Sequence, residues 1–215
     1  MALSAERSDR ATASSPISLV LDIGQGAGLA GASGVRPFLP PLVAGALARA
    51  DTGVDFEGTS YSFLESPIFL AAVLALAVAA YALERRHGDG AASSSRRNPV
   101  ELALGLLAVV LGALLFAGSL EDGGREGVLG LLAGAACAAL GFLAVAAFLG
   151  RARRRLEGSA AAFLAVYADV AALVVAGLSI LFPPLGFVAL VLLAFLVVRG
   201  RREGARKFEG LRILR

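Results

Sequence analysis

Residues 17–50, ISLVLDIGQGAGLAGASGVRPFLPPLVAGALARA, are apolar almost throughout and carry two charged side chains before Arg49, namely Asp22 and Arg36. As one continuous helix the stretch would measure about 51 Å, well beyond the roughly 30 Å of a bilayer's hydrocarbon. Gly31, Ser33, Gly34, Pro37, Pro40 and Pro41 interrupt its middle. Each proline removes an amide donor and restricts the residue before it. Two arrangements fit. The segment makes one broken or re-entrant passage with an inner N-terminus, for six crossings in the chain, or a tight hairpin with an outer N-terminus, for seven. The first is favoured, because Pro41 and Asp51 are separated by only nine residues, short for a full span.

Working outward from there, apolar runs over 67–83, 100–118 and 127–149 each match a bilayer in length. The next run, 160–198, would extend about 58 Å as a helix, nearly twice the hydrocarbon thickness. Pro183-Pro184 divides it into helices over 160–181 and 185–198. Of the 215 residues, 57% are hydrophobic and 17% charged, against roughly 25% charged in a soluble domain. The expected fold is therefore all-α: a polytopic helical membrane protein of about six crossings with a Pro/Gly-broken or re-entrant first segment. Residues 1–16 form a polar tail, 17–199 one transmembrane domain and 200–215 a basic tail. Cys137, the single cysteine, excludes an internal disulfide.

Charge assigns the sides. Arg85, Arg86, Arg96 and Arg97 crowd one connection and Arg151, Arg153, Arg154 and Arg155 another, while the tail from Arg199 carries seven basic residues against Glu203 and Glu209. The alternate connections are acidic: Asp51, Asp55, Glu57 and Glu65, then Glu121, Asp122 and Glu126 with only Arg125. Lys and Arg excess marks the cytoplasmic side, so the chain is expected in the cell inner membrane with a cytoplasmic C-terminus. Anionic headgroups account for the basic residues without nucleic acid. Phe208, Leu211 and Leu214, beside Lys207, Arg212 and Arg215, suit an interfacial helix. Membrane lipids are thus the expected partners, with a homo-oligomer and an unidentified small solute left open.

Small residues recur at helical spacing, Gly24, Gly28 and Ala32 in the first segment and Gly127, Gly130, Gly134, Ala138 and Gly141 in the fourth. Such faces let helix backbones approach closely in lipid. Three ionisable residues lie inside apolar segments: Asp22, Arg36 and Asp169. Each costs a few kcal/mol at the bilayer centre unless it meets a partner, a cavity or the interface. Gln25 can share a face with Asp22, whereas Tyr167 points away from Asp169. Arg36 lies in Ser33-Gly34-Val35-Arg36-Pro37, where Pro37 frees carbonyls that protein or water must satisfy. Asp22, Gln25, Ser33, Gly34, Arg36, Pro37 and Asp169 therefore form the candidate polar intramembrane site, with Arg36 and Asp169 expected to share an interior that Asp22 can join.

The run GASGVRPFLPPLVAGALAR, Gly31 to Arg49, resembles the signature of a bacterial membrane-protein family catalogued as domain of unknown function 4126. The acidic connection after it, the span start at Ser66-Pro67 and the ending Arg206-Lys207-Phe208-Glu209-Gly210-Leu211-Arg212 are similar to that family's pattern. The resemblance covers about residues 17–215 and implies a membrane location and importance for Gly34, Arg36 and Pro37. It implies no chemistry, because the family has no established activity.

Serine-nucleophile, zinc-ligand, Walker and dinucleotide motifs are absent from the sequence. Gly24, Gly26 and Gly28 fall inside an apolar helix with no preceding strand, and His87 stands alone beside two arginines. No cofactor or metal is expected. Enzymatic activity is not the favoured reading, with Asp22 and Asp169 the only acid or base candidates. Two functions stand side by side: a small-solute or ion transporter using a site around Arg36 and Asp169, and a non-catalytic assembly or scaffold protein whose buried charges are structural.

Overall fold

A computed structural model describes residues 16–87, 99–153 and 158–209, and within them the regular elements are all helical. They are α1 (Pro16–Val35), α2 (Leu39–Ala48), a 3-10 turn (Ser62–Glu65), α3 (Pro67–His87), α4 (Pro99–Asp122), α5 (Gly127–Arg153), α6 (Gly158–Leu181) and α7 (Pro184–Glu209). Three stretches are long and apolar enough to cross a membrane: Leu102–Asp122, Gly127–Phe148 and Pro184–Arg201. Helix starts follow the expected chemistry. Ser66 Oγ accepts the amide of Phe69 at 3.1 Å ahead of Pro67, an N-cap followed by proline at the first helical position. Pro183-Pro184 makes the corner between α6 and α7. Beyond Val198 the helix does not stop but continues to Glu209, since Arg, Glu, Ala and Lys are good helix formers.

The first segment folds back on itself. Arg36, Pro37 and Phe38 turn α1 into α2, and Gln25 Nε2 donates to Gly53 O at 3.1 Å. The early part of α1 therefore lies beside the end of α2. Asp22 bonds Arg125, Ser60 bonds Glu121, and Gly24 abuts Pro183. The start of α1, the 49–66 connection, the 123–126 turn and the α6–α7 corner thus gather at one end, which bears most of the described acidic residues. This differs from a single broken passage with its two ends on opposite sides. The reason is length and chemistry together: Pro37 cannot continue the helical hydrogen-bond ladder, and the ten residues of α2 rise only about 15 Å.

α1 is the axis of the bundle, packing against α4, α5, α6 and α7. Every residue from Gly24 to Gly34 is buried, so glycines face several neighbours at once. Gly28 meets Ser179 and Gly186, while Gly34 meets the Ala138 carbonyl. Gly141 lies against Gly31, and Gly130 and Gly134 against Ala117 and Ala113. These are the small-residue faces expected from spacing, and they act through close backbone approach. The acidic connection is more than a loop: Val54, Phe56 and Leu64 insert into a core formed with Leu29, Ala44, Leu115 and Ile180.

Candidate functional site

Two polar centres lie along α1, near opposite ends of its buried stretch. At the α1–α2 turn, the Arg36 guanidinium pairs through Nε with the Asp169 carboxylate from α6. Tyr81 on α3 donates its hydroxyl to the other Asp169 oxygen at 2.8 Å. The Arg36 guanidinium carbon also lies 5.9 Å from the centroid of the Tyr81 ring, within cation–π range. Three separate elements thus converge on one carboxylate. The Arg36 and Asp169 side chains keep 16% and 22% of their surface exposed, and Tyr81 is exposed at 37%. The triad therefore sits where the bundle opens rather than in its sealed core.

Sequence position explains the convergence. Pro37 ends α1, and Arg36 is the last residue whose amide still closes a helical bond, to Ala32 O at 3.0 Å. Its side chain leaves at the hairpin tip. From the level of Asp22 the tip is fourteen residues along α1, about 21 Å of rise. α3 and α6 flank α2 and continue past the tip by six and eleven residues to His87 and Gly158.

The second centre holds Asp22. Its Oδ2 accepts from Arg125 Nη1 at 3.0 Å, across the α4–α5 turn. Asp22 does not join Arg36 and Asp169, because it precedes Arg36 by nearly four helical turns. Gln25 binds Gly53 O rather than a group of the triad. Ser33 is buried and donates to Leu29 O at 3.0 Å, a bond within its own helix. Gly34 serves packing against α5, and Pro37 forms the bend. Of the seven candidate residues, Arg36 and Asp169 meet, Pro37 and Gly34 shape the tip, and Asp22, Gln25 and Ser33 have other partners.

Sequence reasoning missed Tyr81 and the role of Arg125. Tyr81 carried a weak signal as a tyrosine near the basic end of a span, but its partner lies 88 residues away. Arg125 was visible as the lone base of an acidic connection, and its partner is 103 residues distant. At the acidic end, Asp51, Asp55 and Asp122 line an open cavity of about 220 Å³ with Gly53 and Val54. Among the described residues no three His, Cys, Asp or Glu side chains are placed to share a metal ion. The polar connection around 88–98, residues 154–157 and the tail from 210 lie outside the described residues, as do the side chains of the expected interfacial segment.

Helix composition, the apolar exterior and an ion pair among helices define the class: an all-helical protein with helices suited to a membrane. A family model matches residues 23–203, and the chain belongs to that family, Domain of unknown function (DUF4126). Neither the curated proteins nor the solved structures contain a match to the chain.

Proposed function

We propose that this protein is a multi-pass membrane transporter for a small solute or ion, with Arg36, Asp169 and Tyr81 as its polar site. α3 to α7 make five crossings and α1–α2 enters as a re-entrant hairpin from the acidic side. The N-terminus is then outside, and the basic connections and C-terminus are cytoplasmic. The observation that carries the reading is the convergence of the three side chains at the tip of a broken helix. Non-helical backbone at membrane depth is tolerated where protein or water lines it, and discontinuous helices with intramembrane charges recur at transport sites. The hairpin's roughly 21 Å against about 30 Å of hydrocarbon leaves the tip two-thirds of the way across. Beyond it α3 and α6 continue without α2 between them. The outward faces of these helices are apolar, with Ile68, Val78, Phe163 and Val166 exposed, as lipid contact requires.

A second reading has its own support. Arg36 and Asp169 neutralise one another, and Asp22 with Arg125 does the same at the acidic end, so both pairs can act as staples in a membrane scaffold. Reconstitution of the full chain in vesicles with an untargeted solute-flux screen separates the two. For a transporter, Arg36→Gln and Asp169→Asn reduce flux more than folded yield, and the charge swap restores folding while flux stays impaired. For a scaffold, the single changes lower folded yield, the swap recovers it, and no solute responds.

A further inference from the structure

We propose that the solute at this site is a small monocarboxylate anion, which displaces Asp169 from Arg36 and moves together with one proton. The inference rests on the transport reading and adds the chemistry of the substrate. Its starting point is what already occupies the site. A guanidinium from the hairpin tip and a phenol hydroxyl from α3 hold a carboxylate, and that carboxylate belongs to a third element, α6. Guanidinium plus hydroxyl is a carboxylate-binding set, filled here by the protein's own side chain.

The two charges of the pair are not equivalent. Arginine stays protonated, whereas a carboxylate can be neutralised by taking up a proton. Of the two, only Asp169 can therefore give up its charge in the pair, and an incoming anion is what Arg36 then requires. A cation would instead face the fixed Arg36 charge. The start of α2 is poor in donors for an anion, since Pro40 and Pro41 lack amide N–H groups and Leu42 N already bonds Phe38 O.

Arg36 from the turn and Tyr81 from α3 are the charged and titratable groups facing Asp169 among the described side chains. α2 carries no charge. α7 is uncharged up to Val198, as is α5 up to Phe148, whose Cys137 packs instead near Ala27 and Phe116. In the exchange, the anion and a proton enter from one side, the proton binds an Asp169 oxygen, and the Arg36 ion pair passes from Asp169 to the anion. Tyr81 can turn its hydroxyl to the new acceptor. On the other side the anion leaves, Asp169 releases the proton and the original pair re-forms. The site's charge is the same before and after, which a low-dielectric setting favours.

The test uses the full chain in proteoliposomes, with radiolabelled lactate as the probe and protein-free vesicles as the baseline. With the interior one pH unit more alkaline, one proton per anion accumulates lactate about tenfold. Asp169→Asn keeps lactate exchange between equal pools but loses accumulation driven by the proton gradient, while Arg36→Gln loses both. Tyr81→Phe, a milder change, weakens lactate affinity with proton coupling intact. Lactate uptake indifferent to the pH gradient, or gradient-driven accumulation persisting in Asp169→Asn, overturns the proposal. Arg36-dependent flux of another solute without lactate flux overturns the carboxylate assignment and leaves the transport reading standing. The absence of any solute flux from folded protein removes both.

Discussion

At the scale of single residues, the absence of a side chain matters as much as its presence. Gly186 allows α7 to lie against α1, and a Cβ there would run into the Gly24 carbonyl and come within 3.0 Å of the Gly28 amide nitrogen. Both obstacles are backbone, so neither can rotate away. Gly186→Ala is expected to lower stability by about 1–3 kcal/mol, the usual range for overpacking, measured by thermal unfolding in detergent. Gly177 is the control, because a Cβ there meets nothing within 4 Å. Gly177→Ala should cause no loss, since alanine favours the helix by about 0.5–1 kcal/mol. An equal effect at the two positions would remove close packing as the cause. Gly24 and Gly28 were legible in the sequence as a small-residue face. Gly186 was not singled out, because its need to be small depends on which helix lies opposite.

At the scale of elements, the α1–α2 hairpin and the connection after it form one structural piece. Arg49 Nη1 donates to Glu65 O at 3.3 Å, and buried Glu65 accepts the Phe56 amide. Phe56 is fully buried and rests against Gly118 of α4. The connection therefore acts as a plug over the acidic end. Phe56→Ala is expected to cost about 3–5 kcal/mol, as for other large core truncations, whereas exposed Phe63→Ala should cost far less in the same denaturation assay. Comparable losses would place Phe56 outside the core. The prolines and glycines of the first segment announced a break, and the stretch after Pro41 is the short helix its length implied. Neither feature specified the direction of α2, which follows from burying Ala44 and Ala48 against α6 and from the Gln25 bond to Gly53.

At the scale of the whole molecule, turns that share an end are expected to share a side of the membrane, with the basic connections on the cytoplasmic one. Single cysteines in a Cys137→Ala background at Ser8, Thr52 and Glu126 are expected to react with an impermeant reagent on intact cells, and one at Ser94 only after permeabilisation. Labelling of Ser94 alone from outside would reverse the orientation, and separation of Ser8 from Thr52 would break the hairpin. The helices, the corner at Pro183-Pro184 and the acidic and basic alternation were determined by the sequence itself, because helix length, proline chemistry and charge placement are local properties read along the chain. Asp22, Arg36 and Asp169 were likewise legible as costly charges that demand partners. Only the tertiary structure decided which partners they have. Arg36 meets Asp169 and Tyr81, while Asp22 meets Arg125, because pairing depends on how α1 is seated among the other helices. That seating is set by shape complementarity between glycine-lined backbones, a physical fit between distant segments that has no signature in either segment alone.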